Sequence, residues 1–245
     1  MAYVQRGRGP AALFLHGFPL NGFQWRSVIP RLAGNRRCIA PDFMALGYTE
    51  TAEGQEITPT SQAEMLSEFL DVLRIKIADI VANDTGGEVA QLFVARYPQR
   101  VRSLLLWNCD VDANSPPPSF EPVLAAAQKG VLADSFARLL TDKNLARSSR
   151  GFGAFYTNPA SLTDEAIEYY FSPPVSAAPL RKTQLNGFAA SFAHNPLVAV
   201  APALRQCPVP ARMVWGTADT TFGVTWAEWL DRTFPHSRGV RRVEG

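Results

Sequence analysis

Short unbroken apolar runs alternate along this chain with stretches whose apolar residues recur every three or four positions. The first kind predicts buried strands and the second amphipathic helices. Ala11–His16 (AALFLH) predicts a buried strand, and Arg37–Ala40 a short second one ended by Pro41. Gly22–Leu32, between them, predicts a helix. Pro59 opens another, with Met65, Leu66, Phe69, Leu70 and Leu73 on its apolar face and Gln62, Ser67, Glu68 and Asp71 opposite. Ile77–Ala82 predicts a strand. Gly87–Tyr97 predicts a helix apolar on most faces, hence deeply buried, and Val101–Trp107 another strand. Ala211–Gly216, a helix over Val224–Phe234 and a last strand at Gly239–Val243 complete the series.

Strands alternating with helices predict an α/β fold with a mostly parallel central sheet flanked by helices. The pattern breaks at Pro116–Pro118, and the stretch up to about residue 200 is helical with many prolines and glycines. The expected organisation is a core formed by residues 1–109 and 201–245, with a helical cap inserted over 110–200.

A chain of 245 residues accommodates one such domain with its insertion. Apolar residues make up 47% and charged residues 19%, an ordinary globular balance. The net charge of +2 comes with no basic tract, so nothing points to a nucleic-acid or membrane-surface partner. No apolar run approaches the ~20 residues of a membrane span. The start, MAYVQRGRGP, lacks an apolar signal core. Cys38, Cys109 and Cys207 are odd in number and embedded in apolar surroundings, which suits reduced, buried thiols in a cytoplasmic protein. Metal-ligand clusters, phosphate loops and dinucleotide fingerprints are missing, so no metal and no cofactor are expected. The partner expected is a small apolar organic substrate; oligomeric state is left open.

The segment Ile80-Val81-Ala82-Asn83-Asp84-Thr85-Gly86-Gly87 runs a strand straight into a helix through a turn lined by small residues. Such a turn presents its apex side chain at the helix N-terminus. The usual occupant is the serine of G-x-S-x-G; here it is Asp84. A carboxylate needs no base before it attacks, and the helix dipole favours its ionised form. Attack on a saturated carbon bearing a leaving group gives a stable ester, which water must then cleave with the help of a general base. The plainer alternative is that Asp84 only caps the helix. Upstream, His16-Gly17-Phe18-Pro19 follows the first strong strand. Gly17 permits a turn that aims the Phe18 N–H at the site, where with the Thr85 N–H it would form an oxyanion hole. His16 itself is expected to hold the loop by hydrogen bonds.

HGFP, APDFMALG at Ala40–Gly47, VANDTGGEVAQLFVARYPQRV at Val81–Val101 and MVWGTAD at Met213–Asp219 together resemble the α/β-hydrolase fold superfamily, in the branch of haloalkane dehalogenases and epoxide hydrolases. The resemblance implies Asp84 as nucleophile, Phe18 and Thr85 as oxyanion-hole donors, and Asp219 as the acid that orients a catalytic histidine, with Asp110 as the alternative acid. It also implies that two cap tyrosines would act on an epoxide oxygen; Tyr156, Tyr169 and Tyr170 are the candidates, ordinary helix packing being the alternative. The cap aromatics Phe152, Phe155, Phe188 and Phe192 suit an apolar pocket or simply the core of the cap.

The family's histidine follows the last strand, and here the given sequence stops at that point; His194 and His236 are poor substitutes by position. Either the chain is part of a protein of about 280 residues or the base has been lost. Usual dehalogenases carry tryptophan after the nucleophile and asparagine near the first glycine; this chain has Thr85 and Phe18. The arginine that follows the nucleophile in fluoroacetate dehalogenases is missing too. The expected function is a hydrolase working through an ester on Asp84, on an epoxide or alkyl halide. The alternatives are a ligand binder without turnover, or an ester hydrolase or lyase of the same fold.

Overall fold

The computed structural model describes residues 1–244. Seven strands form one sheet in the order β1-β3-β2-β4-β5-β6-β7. They and the helices run in chain order as β1 (Tyr3–Arg6), β2 (Ala11–Leu15), α1 (Ile29–Leu32), β3 (Arg37–Pro41), α2 (Pro59–Val72), β4 (Ala78–Asp84), α3 (Thr85–Arg96) and β5 (Val101–Cys109). Then come α4 (Glu121–Gln128), α5 (Leu132–Thr141), α6 (Lys143–Arg147), α7 (Asp164–Ser176), α8 (Pro179–Ser191), α9 (Leu197–Leu204), β6 (Ala211–Gly216), α10 (Val224–Thr233) and β7 (Ser237–Val243). Only β1 is antiparallel to its neighbour.

The predicted helix over Gly22–Leu32 is two pieces, a 3-10 turn at Gly22–Trp25 and the short α1. Pro30 lacks an N–H and fits only a first helical turn, so a new start is forced there. α2 begins as its sequence demands: the Thr58 hydroxyl accepts from Ser61 N, the Ser61 hydroxyl accepts from Thr58 N, and Pro59 follows the cap. Gln62, expected on its solvent side, is instead fully buried. Its amide accepts from Met44 N and donates to Met44 O, tying α2 to the loop after β3.

Alternation along the strands separates the two faces of the sheet. One face carries Leu13, Leu15, Ile39, Ile80, Ala82, Leu104, Leu106, Met213 and Trp215, all in the main core. α3 packs there between α2 and α9, and residues 85–94 are buried throughout. On the other face Trp25 and Ile29 cover Ala12, Phe14, Cys38 and Ala40. Further along that face, Val81, Leu105 and Val214 stay half-exposed and Trp107 is 41% exposed. The three cysteines are free and buried. No helix among the described residues is long and apolar enough to cross a membrane.

Between β5 and β6 the chain leaves the sheet. α4 packs with α8, and α5 with α6 and α7; α9 then returns to lie on α3. Because β3 and β4 flank β2 on opposite sides, the chain reverses direction across the sheet at β2. In open α/β sheets the crevice beyond the strand ends at such a switch is where ligands bind. Here it is bordered by the loops leaving β2 and β4.

Candidate active site

Asp84 is the last residue of β4 and the N-cap of α3, at φ 57° and ψ −134°. A positive φ is costly for a residue with a Cβ and persists only where the surroundings enforce it. Three glycines make the room. A Cβ on Gly17 would lie 2.5 Å from Asp84 Cβ and Oδ1, one on Gly86 would lie 2.5 Å from the His16 carbonyl oxygen, and one on Gly87 would collide with Cys109.

Both expected amide donors converge on one oxygen. Phe18 N donates to Asp84 Oδ1 at 2.9 Å and Thr85 N at 2.7 Å. Oδ2 carries no hydrogen bond among the described residues, and Asp84 keeps partial exposure while Thr85 is buried. Burial pushes the Asp84 carboxyl up to about 6, against the two N–H donors and with help from the charge of Asp219.

The donor loop is braced from below. Gly17 N donates to Gln24 Oε1 at 3.0 Å, and Gln24 Nε2 donates to Asn83 Oδ1 at 2.5 Å. Asn83 Nδ2 in turn donates to the carbonyls of Trp107 and Asn108 at 2.8 and 2.9 Å. His16 is buried and holds the same loop, as its sequence position suggested. Its Nε2 accepts from Phe43 N at 3.0 Å, which leaves Nδ1 to donate to Gly17 O at 2.9 Å. Burial lowers its pKa, opposed by the Asp42 carboxylate, which suits this neutral tautomer.

Asp219 is held from three directions. Its Oδ1 accepts from Thr221 N and Phe222 N, both at 2.8 Å, and its Oδ2 accepts from Asn108 Nδ2 at 2.7 Å. Asn108 Oδ1 also accepts from Gly216 N at 2.8 Å, so this amide at the end of β5 locks the acid to β6. Sequence reasoning passed over Asn108 and Gln24. A buried amide closing an apolar strand was the signal available for the first; nothing local marked the second.

The other expected residues lie elsewhere. Asp110 is completely buried, whereas Asp219 is half-buried in the loop after β6. Tyr169 stacks on Phe23 with ring centroids 4.1 Å apart, and its carbonyl accepts from Asn21 Nδ2. The Tyr170 hydroxyl oxygen accepts from Arg26 at 2.9 Å. Tyr156 packs on Phe152, and burial raises its hydroxyl to about 12. Phe188 and Phe192 meet the ring of Phe18, together with Phe120 and Phe136, whereas Phe152 packs on Phe171 and Phe155 is largely exposed. His194 lines a surface hollow with Thr58, Pro59 and Ser191. His236 is exposed at the opposite end of the sheet, its carbonyl accepting from Ala211 N. None of the three histidines faces Asp84.

A family model described as alpha/beta hydrolase fold matches residues 10–245. The chain belongs to that family. Among characterised sequences, this α/β-hydrolase is 41% identical over 106 residues to a haloalkane dehalogenase of Mesorhizobium japonicum, a stretch covering 42% of this chain and 34% of that one. It is 39% identical over 82 residues to the 2-hydroxy-6-oxo-2,4-heptadienoate hydrolase of Pseudomonas putida, 34% of this chain and 30% of that one. The matched stretches thus span about a third of these relatives. An uncharacterized hydrolase of Saccharomyces cerevisiae matches over 239 residues at 26% identity, 89% of this chain and 77% of that one. Among solved structures, an ancestral haloalkane dehalogenase superposes with a TM-score of 0.77 at 22% identity, covering 100% of this chain and 87% of that one. At that identity the likeness speaks for the fold alone.

Proposed function

We propose that this α/β-hydrolase works through a covalent ester on Asp84, with a small apolar epoxide or alkyl halide as substrate. The observation that carries the reading is the division of labour within one carboxylate: Oδ1 is held by two backbone amides, and Oδ2 is left free to attack. Oδ2 forms a bond to a saturated carbon, and the halide leaves with the bonding electron pair. With an epoxide, the ring C–O bond breaks and the alkoxide takes a proton. Tyr170, whose oxygen accepts from Arg26, keeps its O–H free to be that donor; Tyr156 and Tyr169 are the other candidates. In the second step water adds to the ester carbon and gives a proton up to bulk solvent. Negative charge then develops on the oxygen that Phe18 N and Thr85 N already contact. The bond from that carbon to the alkoxy oxygen then breaks, and the departing oxygen takes a proton back to leave as the alcohol.

Residues 110–200 serve in this reading as the cap that supplies an apolar pocket. The support is the ring cluster of Phe120, Phe136, Phe188 and Phe192 around Phe18, next to the donor loop. Asp219 takes the place of the acid, its partners being Asn108 and the amides of Thr221 and Phe222. The named dehalogenase relative favours a carbon–halogen substrate.

Intact-mass spectrometry after incubation with small alkyl halides and epoxides tests the proposal. One adduct per chain, mapped to Asp84 and lost in Asp84→Ala, is expected. A broad panel that leaves no adduct and no product would overturn it. The second reading is a ligand binder without turnover. Accumulation of the adduct without release of product distinguishes that case from an enzyme that turns over.

A further inference from the structure

Behind Asp84, α3 carries Thr85, Glu88 and Gln91 at steps of three, hence on one side of the helix. That side meets Asp110 and Ser115 in the segment leaving β5. All five residues are at least nine-tenths buried. The Ser115 hydroxyl donates to Glu88 Oε1 at 3.2 Å, and both hydrogens of the Gln91 amide are committed, to Gly87 O at 3.0 Å and Asp110 O at 2.7 Å. That leaves Glu88 Oε2, both carboxyl oxygens of Asp110, Gln91 Oε1 and Thr85 Oγ1 buried without a partner. Nearly all of these atoms are acceptors. Two ionised carboxylates would add no donor, and buried acceptors without donors are expensive. Neutral acids bring two O–H donors, and internal water can bring the rest.

We propose that Glu88 and Asp110 are both neutral, protonated carboxyls that, with Ser115, Gln91 and internal water, back the elbow and leave its negative charge to Asp84. Three carboxyls in one water-poor volume cannot all ionise. Asp84 has two amide donors on one oxygen and partial exposure; the pair has neither. The charge at the elbow therefore resides on Asp84. Other groups do not compensate the pair. Of the elements packed on α3, α9 has no titratable residue and α2 presents Glu64, already bridged to Arg96 at the far end of α3. β2 leads into the neutral His16, β4 ends in Asp84, and β5 ends in the buried Cys109 thiol. Burial, together with the neighbouring carboxyls, drives Glu88 up to about 8 and Asp110 well above its ordinary value, as the orphaned oxygens require.

The test needs no substrate, so its outcome is separate from that of the Asp84 ester. Infrared spectra at pH 7 in light and heavy water should show a protonated-carboxyl carbonyl band that loses intensity in Glu88→Gln and in Asp110→Asn. The amides are isosteric and neutral, so both variants should fold; Glu88→Gln alone suffices if the other does not. Urea unfolding supplies a second readout. A proton held on Glu88 in the folded state stabilises fully below the ordinary carboxyl range and is lost as pH rises towards 8. The folding constant of the unmodified chain relative to Glu88→Gln should therefore fall about tenfold per pH unit between pH 5 and 7. A crystal structure should show water within hydrogen-bond reach of Glu88 Oε2 or Asp110. No protonated-carboxyl band, a ratio flat with pH, or a metal ion in that space would overturn the proposal.

Discussion

Burial of Asp84 should make the attack proposed for it depend on pH in a way that an ordinary aspartate would not show. With the carboxyl pushed from 3.8 to about 6, about nine-tenths of it is ionised at pH 7 and about one-tenth at pH 5. The rate of adduct formation should therefore drop about tenfold between those values, because only the carboxylate attacks. An aspartate at its ordinary value would lose less than about a tenth of its rate over the same range. An alkyl halide is the suitable probe, since its displacement takes up no proton. Quenched intact-mass measurements at half-unit intervals from pH 4.5 to 8 give the profile. The same shift has a stability counterpart of definite sign. A carboxyl raised in the folded state stabilises most below its unfolded value, and that contribution disappears as pH rises through about 6. Asp84→Asn should thus gain on the unmodified chain by up to about 3 kcal/mol between pH 4 and 7. A rate independent of pH between 5 and 7, with no such gain, would refute the description of Asp84 as a desolvated carboxyl.

Further outcomes follow from neighbouring contacts. Gly17→Ala places a methyl 2.5 Å from Asp84 Oδ1; adduct formation should drop at least about tenfold and stability by about 1–3 kcal/mol, read by timed mass spectra and urea unfolding. Asp219→Asn removes the charge that raises Asp84, so the acid limb of the rate profile should move to lower pH; a limb that stays put contradicts the coupling. Gln62→Ala leaves both Met44 N and Met44 O without their buried partner and should cost about 2–4 kcal/mol in chemical denaturation, with the rate profile of Asp84 unchanged.

The sheet was readable wherever an apolar run has no other use, as at Ala11–Leu15 and Val101–Cys109, and the buried α3 followed from its lack of a polar face. The elbow was readable because a small-residue turn between strand and helix is a local property, and Phe18 N and Thr85 N stand where that turn and HGFP imply. What escaped were polar side chains whose partners lie far along the chain. Gln62 was assigned to solvent because it lies opposite the apolar stripe, yet its amide fits the Met44 backbone 18 positions away. Gln24, bridging Gly17 and Asn83, and Asn108, holding Asp219, follow the same logic. Glu88 drew no reading of its own in a helix expected to be deeply buried; it is an interior group, with Ser115 bonded to it.

Trp107, the most exposed of the five tryptophans, pairs in register with Asn83, the residue immediately before Asp84. Its indole looks out on water from the reverse of the sheet, and Asn83 Nδ2 bonds to its carbonyl. The protein thereby carries an intrinsic optical reporter paired one residue away from Asp84. A shift of the turn transmitted along β4 would alter how that indole emits and how readily dissolved quenchers reach it, without any label being attached.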